Sequence, residues 1–509
     1  MKQLTRILYL LVILTCSQGL LHGQTRLPNI LSDNMCLQQS AEVKIWGWDN
    51  PGQVVTVKPS WTKAVKAETD AEGRWLVKIL TPKAGKTGTI KVIGSSQQII
   101  NNIIFGEVWL CSGQSNMERQ LDFRSGQKAI VNFYEEAQNA HYPAIRIFTL
   151  PNRPADTPQE NSGGKWMECS PESVLEFSAV AYFFGERLHK ALNVPMGLIN
   201  SSSGGSIVEP WTPEEFYEKE HLQEIRKLEE RYKADSAFYA QARRLYQEGA
   251  LKNNPESPAS VSYHNTRARK KAALYNAMIA PIINYRIKGV IWYQGESNVP
   301  NWKEYKTRFP NMIKGWREKW GIGDFPFYFV EIAPNNYGDK FGQPQLVEAQ
   351  CEALKLNNTG IVATQDIGSL YDIHPVEKKE VSRRLAMLTL NKTYGMTDLI
   401  YAGPSLKSYR TDGENIVLDF DTPGSSLHSA SDNIGGIYSF YIAGEDKVFY
   451  QAFAKQDGNT MIVSSPKVKH PVAVRYNWSN DANATLFNRQ GLPALPFRTD
   501  RWDDAMYAK

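Results

Sequence analysis

Between residues 105 and 400 the chain alternates short apolar runs with longer stretches of helical period. The runs fall at 105–111, 145–150, 196–200, 287–293, 327–332 and 360–364. The helical patterns include 173–192, 302–320, 344–356 and 375–391. Runs that are apolar nearly throughout, each followed by a helix, describe strands buried on both faces and joined by helical crossovers. The expected architecture is therefore an α/β domain of three layers, α/β/α, with a central parallel sheet covered by helices on both sides.

The flanks have a different rhythm. From 24 to 104 short β-like runs such as Val43-Lys44-Ile45-Trp46-Gly47-Trp48 alternate with turns such as Asn50-Pro51-Gly52. This punctuation predicts a β-sandwich-like module. The pattern returns from 401 to 509, where a second β-rich module is expected. A chain of 509 residues is too long for one core, so this division fits its length. Inside the α/β domain, 213–266 reads as an insertion, a charged helix followed by a polar loop.

The first 23 residues form a separate segment. Lys2 and Arg6 precede an apolar run at 7–14, and small and polar residues follow up to Gly23. This is the pattern of a secretory leader cleaved near Gly23, so an exported protein is expected. Cys16 raises the possibility of a lipoprotein leader, but Ile13-Leu14-Thr15-Cys16 is a poor match for one. No other stretch is apolar for long enough to span a bilayer. A net charge of +5 without a long basic run gives no nucleic-acid footprint. The cysteines beyond the leader, Cys36, Cys111, Cys169 and Cys351, are too sparse for a disulfide framework and are not spaced for zinc. Each is expected as a small buried hydrophobe.

Polar clusters follow the predicted strands. After Leu110-Cys111 comes Ser112-Gly113-Gln114-Ser115-Asn116. After Ile199-Asn200 comes a serine run with Gly204-Gly205-Ser206. After Trp292-Tyr293 comes Gln294-Gly295-Glu296-Ser297-Asn298. After Ala363-Thr364 come Gln365-Asp366 and then Tyr371-Asp372-Ile373-His374. In a parallel sheet the carboxyl edge is where sites are built, so the four clusters are expected to share one crevice. A serine needs a base to become a nucleophile, and the base needs an orienting group. Ser115 is the expected nucleophile and His374 the base. Asp372 is the first candidate to orient it and Asp366 the second. The N–H groups of Ser115 and Gly205 (or Gly204), with the side-chain amide of Asn298, are candidate oxyanion donors. Gln114 and Glu296 are expected in support, with Glu296 anchoring the neighbouring loops. Met117 replaces the second glycine of G-x-S-x-G, which disfavours a lipase-type elbow. A glycosidase pair of Glu296 with Asp372 or Asp366 would leave the serine and histidine clusters idle.

GQSNM at 113–117, GGS at 204–206 followed by Trp211, WYQGESN at 292–298 and DIHP at 372–375 resemble the sialate O-acetylesterases, members of the SGNH-type serine hydrolases. The stretches at 169–202, 273–281 and 491–502 share that likeness. The resemblance implies hydrolysis of O-acetyl esters on sialic acids, notably at the 9-O position of the glycerol side chain, with no cofactor and no metal. It places Ser115 at the nucleophile, His374 at the catalytic histidine, and Gly205 and Asn298 at the oxyanion hole. Many SGNH enzymes carry the acid three residues before the histidine. Here that residue is Tyr371, and the acid, Asp372, stands two residues before.

Fold does not fix substrate. Acetylated xylan or another plant glycan is the alternative ester, and a glycan-binding protein without catalysis is the non-enzymatic one. A sialic acid carboxylate calls for a cation near the nucleophile, and Arg119 is the candidate.

Overall fold

The computed structural model describes residues 24–256, 270–338, 340–430, 439–481 and 483–508. The expected leader at 1–23 and the 257–266 part of the insertion lie outside them.

The N-terminal module holds β1 (Cys36–Gln38), β2 (Glu42–Trp48), β3 (Val54–Pro59), β4 (Val65–Glu68), β5 (Arg74–Leu80), β6 (Thr87–Ile93) and the first half of β7 (Gln97–Gly113). β2 pairs antiparallel with β5, and β4, β3, β6 and β7 form the facing sheet. Along β5, Trp75, Val77 and Ile79 are buried and alternate with exposed residues, which is the two-residue period of a half-buried strand. Their side chains share one core with Val55, Val57, Ile90 and Val92.

The boundary expected between 104 and 105 falls inside β7. The strand pairs antiparallel with β6 over its first half and parallel with two strands of the α/β domain over its second. Its burial changes near the same point, from mostly exposed to continuously buried. Module and domain are therefore joined by a strand and not by a flexible linker.

The α/β domain adds β8 (Tyr142–Thr149), β9 (Trp166–Cys169), β10 (Met196–Ser202), β11 (Gly289–Tyr293), β12 (Phe327–Val330) and β13 (Thr359–Val362). The strand order is β13-β12-β11-β7-β10-β8-β9. All neighbours are parallel except the edge pair β8–β9. All six predicted strands are present, and β9 is the one that sequence reading missed. The helices are α1 (Ser115–Glu118), α2 (Phe133–Gln138), α3 (Pro171–Leu175), α4 (Ala179–Leu192), α5 (Lys219–Gln247), α6 (Trp302–Trp320), α7 (Gly342–Cys351) and α8 (Lys378–Lys392). The pattern at 173–192 is broken into α3 and α4, because Ser178 caps a new helix by accepting from Ala181 N at 3.1 Å.

Side chains alternate between the faces of the sheet. Val108, Leu110, Val290 and Trp292 point toward α6 and α7. Trp109, Cys111, Ile291 and Tyr293 point toward α4 and α8. On the first face Trp211, Trp292, Phe309 and Trp316 pack edge-to-face or stacked. Each such buried ring contributes about 2 kcal/mol or more. The resulting fold is an SGNH-like α/β/α domain between two β modules.

The charged insertion folds as the long helix α5. The C-terminal module contains an antiparallel sheet made of Ser405–Asp412, Asn415–Asp421, Thr460–Ser464 and Phe453–Asp457, together with a second sheet around Phe440–Ala443 and Ala473–Tyr476. It docks on α7, where Arg498 makes a paired contact with Glu348 at 2.9 Å through both oxygens. Cys36, Cys111, Cys169 and Cys351 are all free thiols, and the first three are buried. Among the described residues no helix is long and apolar enough to cross a membrane.

Candidate active site

β10, β7 and β11 are adjacent and parallel, so Ser202, Gly113 and Tyr293 end side by side. Gly113 stands at φ +140, and a Cβ there would lie 2.2 Å from the carbonyl oxygen of Tyr293. Only glycine allows the two strands to approach so closely. The chain then turns, with Gln114 N donating to that same carbonyl at 3.0 Å, and Ser115 opens α1. Gln114 Oε1 accepts from Gly295 N at 3.3 Å and Ser297 N at 3.4 Å, which ties the β7 loop to the β11 loop.

The loop after β13 brings in His374, whose Nε2 lies 2.9 Å from Ser115 Oγ. Sequence reading had joined these residues across the chain, and the fold brings them together. Burial lowers the imidazole pKa below the ordinary histidine value. Lys378, Arg119 and Arg124 push it the same way, and Asp372 opposes them. The ring is therefore held neutral, with a lone pair for the serine proton, at pH values where a free histidine carries a charge.

Neither orienting candidate bonds the ring. Asp372 Oδ1 lies 3.9 Å from His374 Nδ1, beyond hydrogen-bond reach. That oxygen accepts from the backbone N–H of His374 at 2.9 Å, a local turn that the two-residue spacing favours. Asp366 is taken up by Arg384 in a bidentate pair, both bonds 2.7 Å. Tyr371 is 94% exposed.

The loop after β10 lies against the serine. Ser203 N donates to Gly113 O at 3.0 Å, and a Cβ built on Gly204 would stand 3.7 Å from Ser115 Cβ. Gly205 follows at φ +69, in the left-handed region that glycine enters freely. Asn298 is fully buried. Its Oδ1 accepts from Val208 N at 2.9 Å and Gln294 Nε2 at 2.7 Å. These two bonds fix which end of the amide carries hydrogen. Nδ2 donates to Glu209 Oε2 at 3.1 Å, and Arg308 holds Glu209 from the other side at 2.7 Å. That bond uses one of the two Nδ2 hydrogens.

A buried polar cluster lies beneath the dyad. Glu296 was expected to anchor the neighbouring loops, and its side chain meets Asn116, whose Nδ2 donates to Glu296 Oε1 at 2.5 Å and to Ile373 O at 3.0 Å. Lys378 Nζ donates to Asn116 Oδ1 at 2.6 Å. Burial raises the Glu296 pKa and draws that of Lys378 down to about 7. Sequence reading missed Asn116, Lys378 and Glu209. One signal was available for Lys378. It falls in phase with Val381, Leu385 and Leu388 on the buried stripe of α8, where a lysine is out of place.

Arg119 does not present its guanidinium to the crevice. Its side chain is buried, and Nη2 donates to Lys128 O at 2.6 Å, bracing the loop that follows α1. Among the described residues no group of three His, Cys, Asp or Glu side chains is arranged to hold a metal ion.

Residues 258–388 match the family model described as carbohydrate esterase, sialic acid-specific acetylesterase. The chain is 29% identical over 423 residues to the sialate O-acetylesterase of Homo sapiens, covering 74% of this chain and 73% of the relative. It is 28% identical over 451 residues to the Mus musculus enzyme, covering 77% and 78%. Among solved structures it resembles a carbohydrate acetylesterase from Xanthomonas citri, with a TM-score of 0.79 and 33% identity over 94% of this chain and all of that one.

Proposed function

Because the chain belongs to the sialate O-acetylesterase family of carbohydrate esterases, and is therefore a carboxylic ester hydrolase for carbohydrate O-acetyl groups, we propose that it removes acetyl groups from sialic acids through a Ser115–His374 dyad, acting foremost on 9-O-acetyl esters. The observation that carries the dyad is the 2.9 Å contact between Ser115 Oγ and His374 Nε2 at the carboxyl edge of a parallel sheet.

Ser115 Oγ attacks the acetyl carbonyl while His374 Nε2 takes the hydroxyl proton. The N–H groups of Ser115 and Gly205 and the free hydrogen of Asn298 Nδ2 receive the charge that grows on the carbonyl oxygen. The tetrahedral adduct collapses, the C–O bond to the sugar breaks, and His374 returns its proton to the sugar oxygen. Water, deprotonated by the same imidazole, then attacks the acetyl carbon, the bond from that carbon to Ser115 Oγ breaks, His374 returns the proton to Oγ, and acetate leaves. Asp372 acts on the imidazole at a distance as a negative charge, not through a hydrogen bond.

Acetate release from a panel of O-acetylated sialic acids and acetylated xylan tests the substrate. The expected result is a higher kcat/KM on 9-O-acetylated sialic acid than on the xylan. Preference for xylan would overturn the sialate reading and leave the ester hydrolase class untouched. The leader at 1–23 belongs with this proposal, since acetylated glycans lie outside the cell. N-terminal sequencing of the exported protein should begin just past Gly23, and retention of Met1 in the mature protein would refute export.

A further inference from the structure

Lys378 opens α8 with its side chain fully removed from water. The position is unfavourable twice over. Burial strips the ammonium of its hydration, and the N-terminus of a helix presents a positive partial charge to it. Where a local rule is broken this way, the compensating gain is sought in function. The ammonium lies over the ring of Tyr293, 5.1 Å from its centroid, and reaches Asn116 Oδ1. Asn116 directly follows Ser115. It bonds the carbonyl of Ile373, the residue directly before His374. One buried amide thus spans the two segments that carry the dyad.

An amide can occupy such a site in two orientations, and only one of them donates to Ile373. A lysine offers donors alone, whereas a carboxylate and a carbonyl offer acceptors alone. Lys378 on one side, with Glu296 and Ile373 on the other, leaves a single consistent orientation.

Resting on the serine esterase reading above, we propose that Lys378 and Asn116 are positioning residues: Lys378 fixes the Asn116 amide in the orientation that tethers the Ile373–His374 segment against Ser115. A second effect comes with the first. The charged groups facing His374 are Lys378, Asp372, Arg119 and Arg124, and those facing Lys378 are Glu296, Arg119 and Asp372. Among the cations Lys378 acts on the imidazole most strongly and helps to keep it neutral. In the acid range where His374 titrates, the ammonium is protonated, so both effects operate together.

The test is steady-state kinetics against pH on the full chain for Lys378→Met, Lys378→Arg and Asn116→Ala, with the folded fraction measured by circular dichroism. In Lys378→Met, kcat per folded molecule should fall about 10²-fold, the loss expected of a misplaced catalytic group, with KM nearly unchanged. Its acid limb should move to higher pH, because a positive charge beside the imidazole has been removed. Lys378→Arg should restore the limb toward its original position. Asn116→Ala should lose kcat to a similar extent without moving the limb upward, since the ammonium remains. Wild-type kcat per folded molecule in Lys378→Met, or an unmoved acid limb, overturns the proposal. If Lys378→Met does not fold, wild-type kcat in Asn116→Ala overturns it instead. Turnover by Ser115→Ala would sink the esterase reading itself, whereas an inactive Ser115→Ala beside a fully active Lys378→Met would sink only this inference.

Discussion

Asp372 Oδ1 stands 3.9 Å from His374 Nδ1, close enough to act on the charge of the ring and too far to hydrogen-bond it. A carboxylate that bonds the ring and fixes its tautomer is worth about 10⁴-fold in kcat. Asp372 lacks that bond, so Asp372→Ala should lose only about tenfold. The same substitution removes a carboxylate that raises the His374 pKa, so the acid limb should shift to lower pH. A loss as large as that of His374→Ala, or a limb moving upward, would contradict this role.

His374 is the group whose protonation should set the acid limb of kcat/KM for the unmodified protein. Its pKa in the folded state is lowered by burial first, then by Lys378. Activity is therefore present above this depressed value and lost as pH falls through it. The inflection should lie below the ordinary histidine value of about 6.5. A limb centred at or above that value would show that the imidazole does not sit in the environment described.

Gly113 and Gly205 should respond differently to alanine. At Gly113 a methyl group would collide with the Tyr293 carbonyl at 2.2 Å, and backbone must move to accept it. Gly113→Ala should cost more than about 3 kcal/mol in denaturant unfolding. At Gly205 the space is open and only the positive φ opposes the change, so about 1–2 kcal/mol is expected. Equal costs would contradict the close approach of β7 and β11.

Asn298→Ala should reduce kcat by about 10²–10³-fold with little change in KM, as expected for a donor used in the transition state. Glu209→Gln keeps an acceptor for Nδ2 but weakens the hold of Arg308, so its loss should be smaller. If both variants keep wild-type kcat, Asn298 serves only the fold.

The six strands of the parallel sheet and the pairing of Ser115 with His374 were readable because they depend on patterns that a linear reading can hold. Apolar runs such as Gly289–Tyr293 are buried on both faces, and the polar residues after them mark one sheet edge. The edge strand Trp166–Cys169 was not legible, since Trp-Met-Glu-Cys is too short to show a period. The continuity of β7 through the expected 104/105 boundary was not readable, because one strand serves two sheets and changes partners there without a break in the chain. In the site, Asp366 stood as the second candidate after Asp372, and only the three-dimensional position of Arg384 shows it to be occupied. Arg119 is four residues past Ser115, but the helix turn between them carries its side chain under a loop. The Asn116–Lys378 contact joins residues 262 positions apart, and although the phase of Lys378 on α8 marks it as buried, nothing in the sequence names Asn116 as its partner.

The most direct measurement is mass spectrometry of the protein quenched in acid during turnover of an O-acetylated substrate. An acetyl group should appear on the peptide containing Ser115, form within a rapid burst, and be absent from Ser115→Ala. An acetyl group carried on another residue, or acetate released at the full rate by Ser115→Ala, would contradict the dyad.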